Sequence, residues 1–217
     1  MGVNIARGLE RRLERLFEGS AKRVFSGQVH PSELAERIAR EADLARYEHL
    51  SGPATANQYL VTLNPRDVER DTESLIHDLE RELSEYAVEA GLRLEGPPLV
   101  TLETSERVSP GQVTCTHRIV AGPQPAWARL VGADTQEIGP NRVVVGRSSE
   151  ADIVLASDEV SRRHALVWRS GGSAWIKDLN SANGTSMDLS PVGNDPIRLE
   201  HGSMLIFGSS SYRFLEG

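Results

Sequence analysis

The sequence predicts two folds in series: an α+β unit of order ααβαββ over residues 1–120, then an all-β sandwich over residues 127–217. Three observations carry this. Apolar residues recur at the helical period of about 3.6 in stretches that all lie before Gly91. Short β-rich pieces separated by turn residues fill the chain from Trp127 onward. Between them, residues 121–126 (Ala-Gly-Pro-Gln-Pro-Ala) form a short connector that its prolines keep extended and fairly stiff.

Taken in order, Ile5, Leu9, Leu13, Leu16 and Phe17 share one face of a first helix, with Arg7, Arg11, Arg12 and Arg15 largely elsewhere. A second helix opens at Pro31, where the missing N–H costs nothing, and runs through Leu34, Ile38 and Ala42. Tyr59–Leu63 is short and β-rich, and reads as a strand. Asn64 then caps and Pro65 begins a third helix, continued by Val68, Leu75, Ile76, Leu79, Leu83, Tyr86 and Ala87 and closed by Gly91. Strands follow at Leu99–Thr104 and Gln112–Val120, joined by a turn at Ser109-Pro110-Gly111. The helices are expected to cover one face of this sheet.

In the second unit β-rich pieces stand at Trp127–Val131, Arg142–Val145, Asp152–Leu155, Ala165–Trp168, Ala174–Asp178, Thr185–Met187, Ile197–Leu199, Met204–Phe207 and Tyr212–Leu215. Gly-Pro-Asn, Ser-Gly-Gly-Ser and Val-Gly-Asn-Asp-Pro between them are turn chemistry. This spacing predicts two packed sheets with loops gathered at the ends.

The 217 residues are 39% apolar and 25% charged, ordinary for a globular protein. The net charge of −7 argues against nucleic-acid binding through a globally basic surface, and acidic groups outnumber basic ones on both sides of the connector. No apolar run approaches the roughly 20 residues of a membrane span. The first residues lack the apolar core of a secretory signal. Cys115, alone, excludes an internal disulfide and reads as a packing residue in a reducing compartment. The six histidines are scattered, so no metal site and no cofactor are expected. The expectation is a cytoplasmic protein that meets a membrane only indirectly, recruited to its inner face by a partner.

Against the acidic background the second unit holds a local concentration of cations and polar donors. Gly146-Arg147-Ser148 ends one strand, Ser161-Arg162-Arg163-His164 precedes another, and Asn180-Ser181-Ala182-Asn183-Gly184-Thr185 follows a third. Guanidinium forks and a hydroxyl suit a doubly charged phosphate, and a carboxamide can donate to and accept from the backbone of an extended peptide. Each string alone means little: arginine at a strand end is usually solvated, serine caps turns, and Asn-Gly marks hairpins. Their joint order and spacing carry the reading.

In that order, from Trp127 to Gly217, the motifs resemble the forkhead-associated (FHA) domain, a reader of phosphothreonine peptides. The resemblance implies that Arg147 reaches the phosphate, Ser161 adds its hydroxyl and Arg162 a further contact, while Asn183 grips the peptide backbone. Ser148 and Gly184 join this set, and Gly146, His164 and Thr185 support it, His164 by bracing loops. Ala182 departs from members that carry a hydroxyl residue there, which shifts weight onto Arg162. The first unit is more loosely similar to that of the FhaA-like actinobacterial family, on Gly8-Leu9-Glu10-Arg11-Arg12-Leu13-Glu14-Arg15-Leu16-Phe17-Glu18-Gly19, on His30-Pro31-Ser32-Glu33-Leu34 and on Tyr59–Asn64. That resemblance implies an adaptor in Ser/Thr kinase signalling. Its partners would be the kinase and phosphothreonine-containing proteins of the cell-wall machinery, including a pseudokinase-regulated lipid II flippase complex.

The residues speak against two other classes. Ser161, His164 and the nearby Asp158 and Glu159 supply the ingredients of a serine hydrolase, but no Gly-x-Ser-x-Gly elbow is present and arginines flank the serine. Gly146-Arg147-Ser148-Ser149 lacks the spacing of a P-loop. In the first unit, a basic and apolar first helix could touch anionic lipid, and a compact α+β unit could bind RNA. The acidic balance and the lack of an aromatic-rich strand motif or Gly-x-x-Gly clamp oppose the RNA reading.

Overall fold

The computed structural model describes residues 8–14, 29, 31–68 and 72–217. Contacts divide the chain into two units. One comprises Met1–Tyr47, Ala54–Ala87 and Leu94–Gly122; the other comprises Glu48–Pro53, Val88–Arg93 and Pro123–Gly217.

The α+β unit is built on alternation in one strand. β3 (Gln58–Leu63) buries Tyr59, Val61 and Leu63 and turns Gln58, Leu60 and Thr62 outward. It is the centre of a three-stranded sheet, parallel to β4 (Leu99–Thr104) and antiparallel to β5 (Val113–Arg118). Among the described residues, three helices add buried apolar faces to this unit. In α1, helical over residues 8–14, Leu9 and Leu13 are buried; Ile5, Leu16 and Phe17 lie outside the described residues. α2 (Pro31–Leu44) buries Leu34, Ile38 and Ala42, and α3 (Glu73–Ala90) buries Leu75, Leu79, Leu83, Tyr86 and Ala87. Gly91, at φ 65°, ends α3 in the left-handed region. His117 Nδ1 lies 2.8 Å from Glu41 Oε1 and joins β5 to α2. Cys115 is half-buried on that strand; burial and then the Glu41 carboxylate push its thiol up to about 12, so it stays protonated near neutral pH.

Two details correct the sequence reading. Asn64 to Ala87 is not one helix: a single 3-10 turn at Pro65–Asp67 precedes α3, which begins at Glu73. The side chains of this turn serve another segment. Asn64 accepts from Arg66 N and donates to Val108 O, and buried Asp67 accepts from Gly111 N. The second detail is a ribbon of two short strands, β1 (Tyr47–His49) and β2 (Gly52–Ala54), which the sequence did not suggest.

The second unit is a β-sandwich. Its strands are β6 (Ala128–Val131), β7 (Thr135–Ile138), β8 (Arg142–Gly146), β9 (Ile153–Val154), β10 (Ala165–Ser170), β11 (Ser173–Asp178), β12 (Thr185–Met187), β13 (Ser190–Val192), β14 (Ile197–Leu199), β15 (Met204–Phe207) and β16 (Ser210–Glu216). One sheet runs β14-β11-β10-β8-β9 and the other β13-β12-β15-β16-β6-β7. Between them lie Leu130, Val143, Val145, Val167, Ile176, Phe207 and Phe214. β10 is buried on both faces, which explains its unbroken run Ala165-Leu166-Val167-Trp168. On its outer face Trp168 stacks on Trp175, and the Arg142 guanidinium lies 5.2 Å from the Trp168 ring. Among the described residues no helix is long and apolar enough to cross a membrane.

Candidate functional site

The site forms where β8 ends against the loop that leads into β10. Arg147 N donates to Ser161 O at 3.0 Å and Ser148 N to Arg162 O at 3.3 Å, zipping the two segments together. Gly146 makes this possible: a Cβ there would sit 2.2 Å from the Arg162 carbonyl oxygen, so only a bare Cα lets the strand approach. Arg147, Ser148, Ser161 and Arg162 line one cavity of about 680 Å³ with Leu50, Val144, Ser149, Glu150, Ala151 and Arg163. The side chains of Arg147 and Arg162 are exposed and form no ion pair among the described residues.

His164 is fully buried below this loop. Its Nδ1 accepts from Ser161 N at 3.0 Å and its Nε2 lies 3.0 Å from Gly184 O, so the hydrogen-bond network places the ring proton on Nε2. One ring therefore ties the Ser161 loop to the Gly184 turn. The ring also sits edge-on to Phe207, with centroids 5.8 Å apart. With both nitrogens on backbone groups, His164 offers no base to the Ser161 hydroxyl.

The third loop closes from the other side. Ala182 N donates to Ser161 Oγ at 2.9 Å, which fills an acceptor position of the hydroxyl and leaves its O–H to donate outward. Asn183 Nδ2 donates to Glu159 O at 2.8 Å, which fixes the amide and leaves Oδ1 and one N–H for other partners. Gly184, at φ 77°, makes the tight turn into β12. Ser148 Oγ accepts from Glu150 N.

Asp178 was missed in the sequence reading. Its carboxylate accepts from Ser181 N at 2.8 Å, Ser181 Oγ at 2.6 Å and Thr185 Oγ1 at 2.7 Å. Burial alone would raise it, but these hydrogen bonds outweigh burial and hold its carboxyl below the ordinary value. Asp178 and Thr185 thus brace the loop that presents Ala182 and Asn183. The sequence offers only a general signal, an aspartate leading into Asn180, Ser181, Asn183 and Gly184, all turn-favouring residues. Gly208 was also missed; a Cβ there would lie 2.6 Å from Glu159 O, on the segment that Asn183 holds.

The sandwich carries arginine, serine and asparagine on three loops, and residues 143–208 match the family model of the FHA domain. Residues 7–116 match the model described as FhaA, N-terminal domain, about half of the sequence, and the chain belongs to the FhaA family. FHA domain-containing protein FhaA of Mycobacterium tuberculosis is 33% identical over 78 residues, which cover 33% of this chain and 15% of that protein. The oxoglutarate dehydrogenase inhibitor of Corynebacterium diphtheriae is 38% identical over 72 residues, 33% of this chain and 49% of that protein. In both cases the match spans less than half of the relative's own length. Among solved structures, Mycobacterium tuberculosis EmbR in complex with a low-affinity phosphopeptide is 27% identical, covering 43% of this chain and 25% of that one, with a TM-score of 0.40. The FhaA FHA domain complexed with the intracellular domain of Rv3910 is 29% identical, covering 40% and 96%, with a TM-score of 0.36.

Proposed function

We propose that this chain is a phosphothreonine-dependent adaptor in bacterial Ser/Thr kinase signalling. It docks a kinase-phosphorylated component of the cell-wall machinery and has no catalytic activity of its own. One observation carries the reading. Two guanidiniums without carboxylate partners among the described residues, Arg147 and Arg162, share a cavity with a serine whose hydroxyl, already accepting from Ala182 N, is left to donate. A phosphothreonine brings about −1.5 to −2 charges and three strong acceptor oxygens, which this donor set fits. Asn183, fixed beside Ser161, supplies the carboxamide for the peptide backbone. The engagement of both His164 nitrogens supports binding over Ser161-dependent hydrolysis. The match to the FhaA family supports the kinase-linked role.

Calorimetry with the full chain and matched threonine and phosphothreonine peptides tests this. Binding is expected only for the phosphorylated peptide and is expected to weaken in high salt; equal affinity for the two sinks the reading. Arg147→Ala removes charge-assisted hydrogen bonds and is expected to cost on the order of 2 kcal/mol of binding while the chain stays folded.

A further inference from the structure

The strand that ends at the clamp is gripped at its other end by three consecutive residues from before the connector. Arg142, the first residue of β8, donates through Nη1 to Gly91 O at 3.1 Å, and Asn141 Nδ2 donates to Leu92 O at 3.0 Å. Arg93 Nη1 donates to Arg142 O at 2.6 Å. Leu92, Arg93 and Asn141 are all buried. Gly91, Leu92 and Arg93 lie in the stretch matched to the FhaA N-terminal model, yet by their contacts Val88–Arg93 belong to the sandwich unit.

The Arg93 fork reaches further along the strand. Its Nη2 lies 2.8 Å from Asp152 Oδ1, in an ion pair whose side chains are only 7% and 15% exposed. The other carboxylate oxygen, Asp152 Oδ2, accepts from Val144 N at 2.8 Å. Asp152 stands at the end of the loop, residues 147–152, that leaves β8 with Arg147 and Ser148 and returns as β9. We propose that Arg93 is a positioning residue of the phosphate clamp, acting through Asp152 on the loop that presents Arg147 and Ser148. The proposal rests on the phosphopeptide reading above and adds to it a residue outside the stretch matched to the FHA model.

Burial decides how much this pair matters. An exposed ion pair contributes little, but removing one partner of a buried pair leaves a charge with neither water nor a counter-charge. Without Arg93 the Asp152 carboxylate keeps only the Val144 N–H among the described residues, and the loop must shift to hydrate it. That shift reaches the clamp through a bond across the loop, from Ala151 N to Ser148 O at 3.0 Å. The amides of Arg147 and Ser148 are the ones that donate to Ser161 O and Arg162 O. Arg93 itself does not line the clamp cavity, so its effect on a ligand is indirect.

The test uses the full chain, calorimetry with a phosphothreonine peptide and its unphosphorylated counterpart, and amide hydrogen exchange. Arg93→Gln is expected to weaken phosphopeptide binding about tenfold while tryptophan fluorescence still reports a folded sandwich. It is also expected to speed exchange of the Arg147 and Ser148 amides. Asp152→Asn breaks the same pair from the other side and is expected to weaken binding to a similar degree. Combined, the two substitutions are expected to cost no more than one alone, as partners in one interaction do. The combined variant leaves no charge buried, so it carries the affinity and exchange tests should Arg93→Gln fail to fold. Arg93→Lys keeps the charge but loses the fork, and is expected to recover part of the affinity. Ser170→Ala removes the bond from Ser170 Oγ to Glu89 O, at the end of β10 away from the clamp, and is expected to leave affinity unchanged. A folded variant with wild-type affinity, losses that multiply in the combined variant, or weaker binding with unchanged Arg147 and Ser148 exchange overturns the positioning role. Equal wild-type affinity for the two peptides would instead overturn the phosphopeptide reading, and exchange in Arg93→Gln would still decide whether Arg93 holds the loop.

Discussion

At the scale of single residues, two positions outside the set Arg147, Ser161, Arg162 and Asn183 fix the shape of the clamp. Gly146 is the first. The Arg162 carbonyl lies where its Cβ would be, and the backbone bonds from Arg147 and Ser148 depend on that approach. Gly146→Ala must part the two segments, so it is expected to lower unfolding free energy by about 1–3 kcal/mol and to weaken phosphopeptide binding in parallel. Urea denaturation and peptide titration of the same variant check this; unchanged values in both would mean that the loop moves aside freely. Asp178 is the second. Asn at this position would set an N–H₂ either against the Ser181 N–H donor, giving up one of the three accepted bonds, or against the Ser181 and Thr185 hydroxyls, giving up two. Asp178→Asn is therefore expected to cost about 1–3 kcal/mol. The pH dependence follows from the direction of its shift. A carboxyl held below its ordinary 3.8 in the folded state contributes stability that is full above that value and is lost as pH falls through the lower folded value. Wild type is expected to lose stability more steeply than Asp178→Asn below about pH 4. Parallel acid curves for the two would remove Asp178 as the cause.

At the scale of elements, what the sequence made legible were the segments whose burial follows a period. β3 alternates, α3 buries every third or fourth residue, and β10 is apolar throughout because both faces are covered. The strands that went unseen carry little such signal. β7 (Thr-Gln-Glu-Ile) ends a sheet and buries only Ile138; β13 (Ser-Pro-Val) is also an edge, where a proline removes no ladder bond. The turn at Pro65–Asp67 was read as the start of α3 because Asn64 and Pro65 are good helix-starting residues; long-range bonds to Val108 and Gly111 decided otherwise. The site showed the same division. The motifs Gly146-Arg147, Ser161-Arg162 and Asn183-Gly184 stood out as strings, whereas Leu50 and Arg163 meet only through a backbone carbonyl that no string reveals. The β1–β2 ribbon that carries Leu50 depends on Gly52, at φ 108°, with the Arg142 guanidinium 2.8 Å from where a Cβ would stand. The guanidinium can shift but the backbone angle cannot be kept cheaply. Gly52→Ala is thus expected to cost about 1 kcal/mol or more. Denaturant midpoints compared with wild type measure it, and an unchanged midpoint would show the ribbon to be adaptable.

At the scale of the whole molecule, the three tryptophans, Trp127, Trp168 and Trp175, all belong to the sandwich unit. Trp127 and Trp168 are buried, Trp127 edge-on to Phe214 and Trp168 stacked on Trp175. Tryptophan fluorescence therefore reports the unit that carries the clamp, whereas the helices among the described residues, α1, α2 and α3, belong almost wholly to the other unit. A chain of two units need not unfold in one step, so a single midpoint is not assumed and the fluorescence transition is followed by itself. A ligand that binds only the folded clamp stabilises it by mass action, by about 2.7 kcal/mol at a hundred times its dissociation constant. A phosphothreonine peptide at that excess is expected to move the fluorescence midpoint to higher denaturant, and the unphosphorylated peptide to leave it in place. With Arg147→Ala the same peptide concentration is a smaller multiple of the dissociation constant, so the shift shrinks without the ligand-free midpoint having to change. A phosphopeptide that binds in calorimetry yet leaves the tryptophan midpoint unmoved would place its site outside the sandwich and undo the assignment of the clamp to Arg147, Ser161 and Arg162.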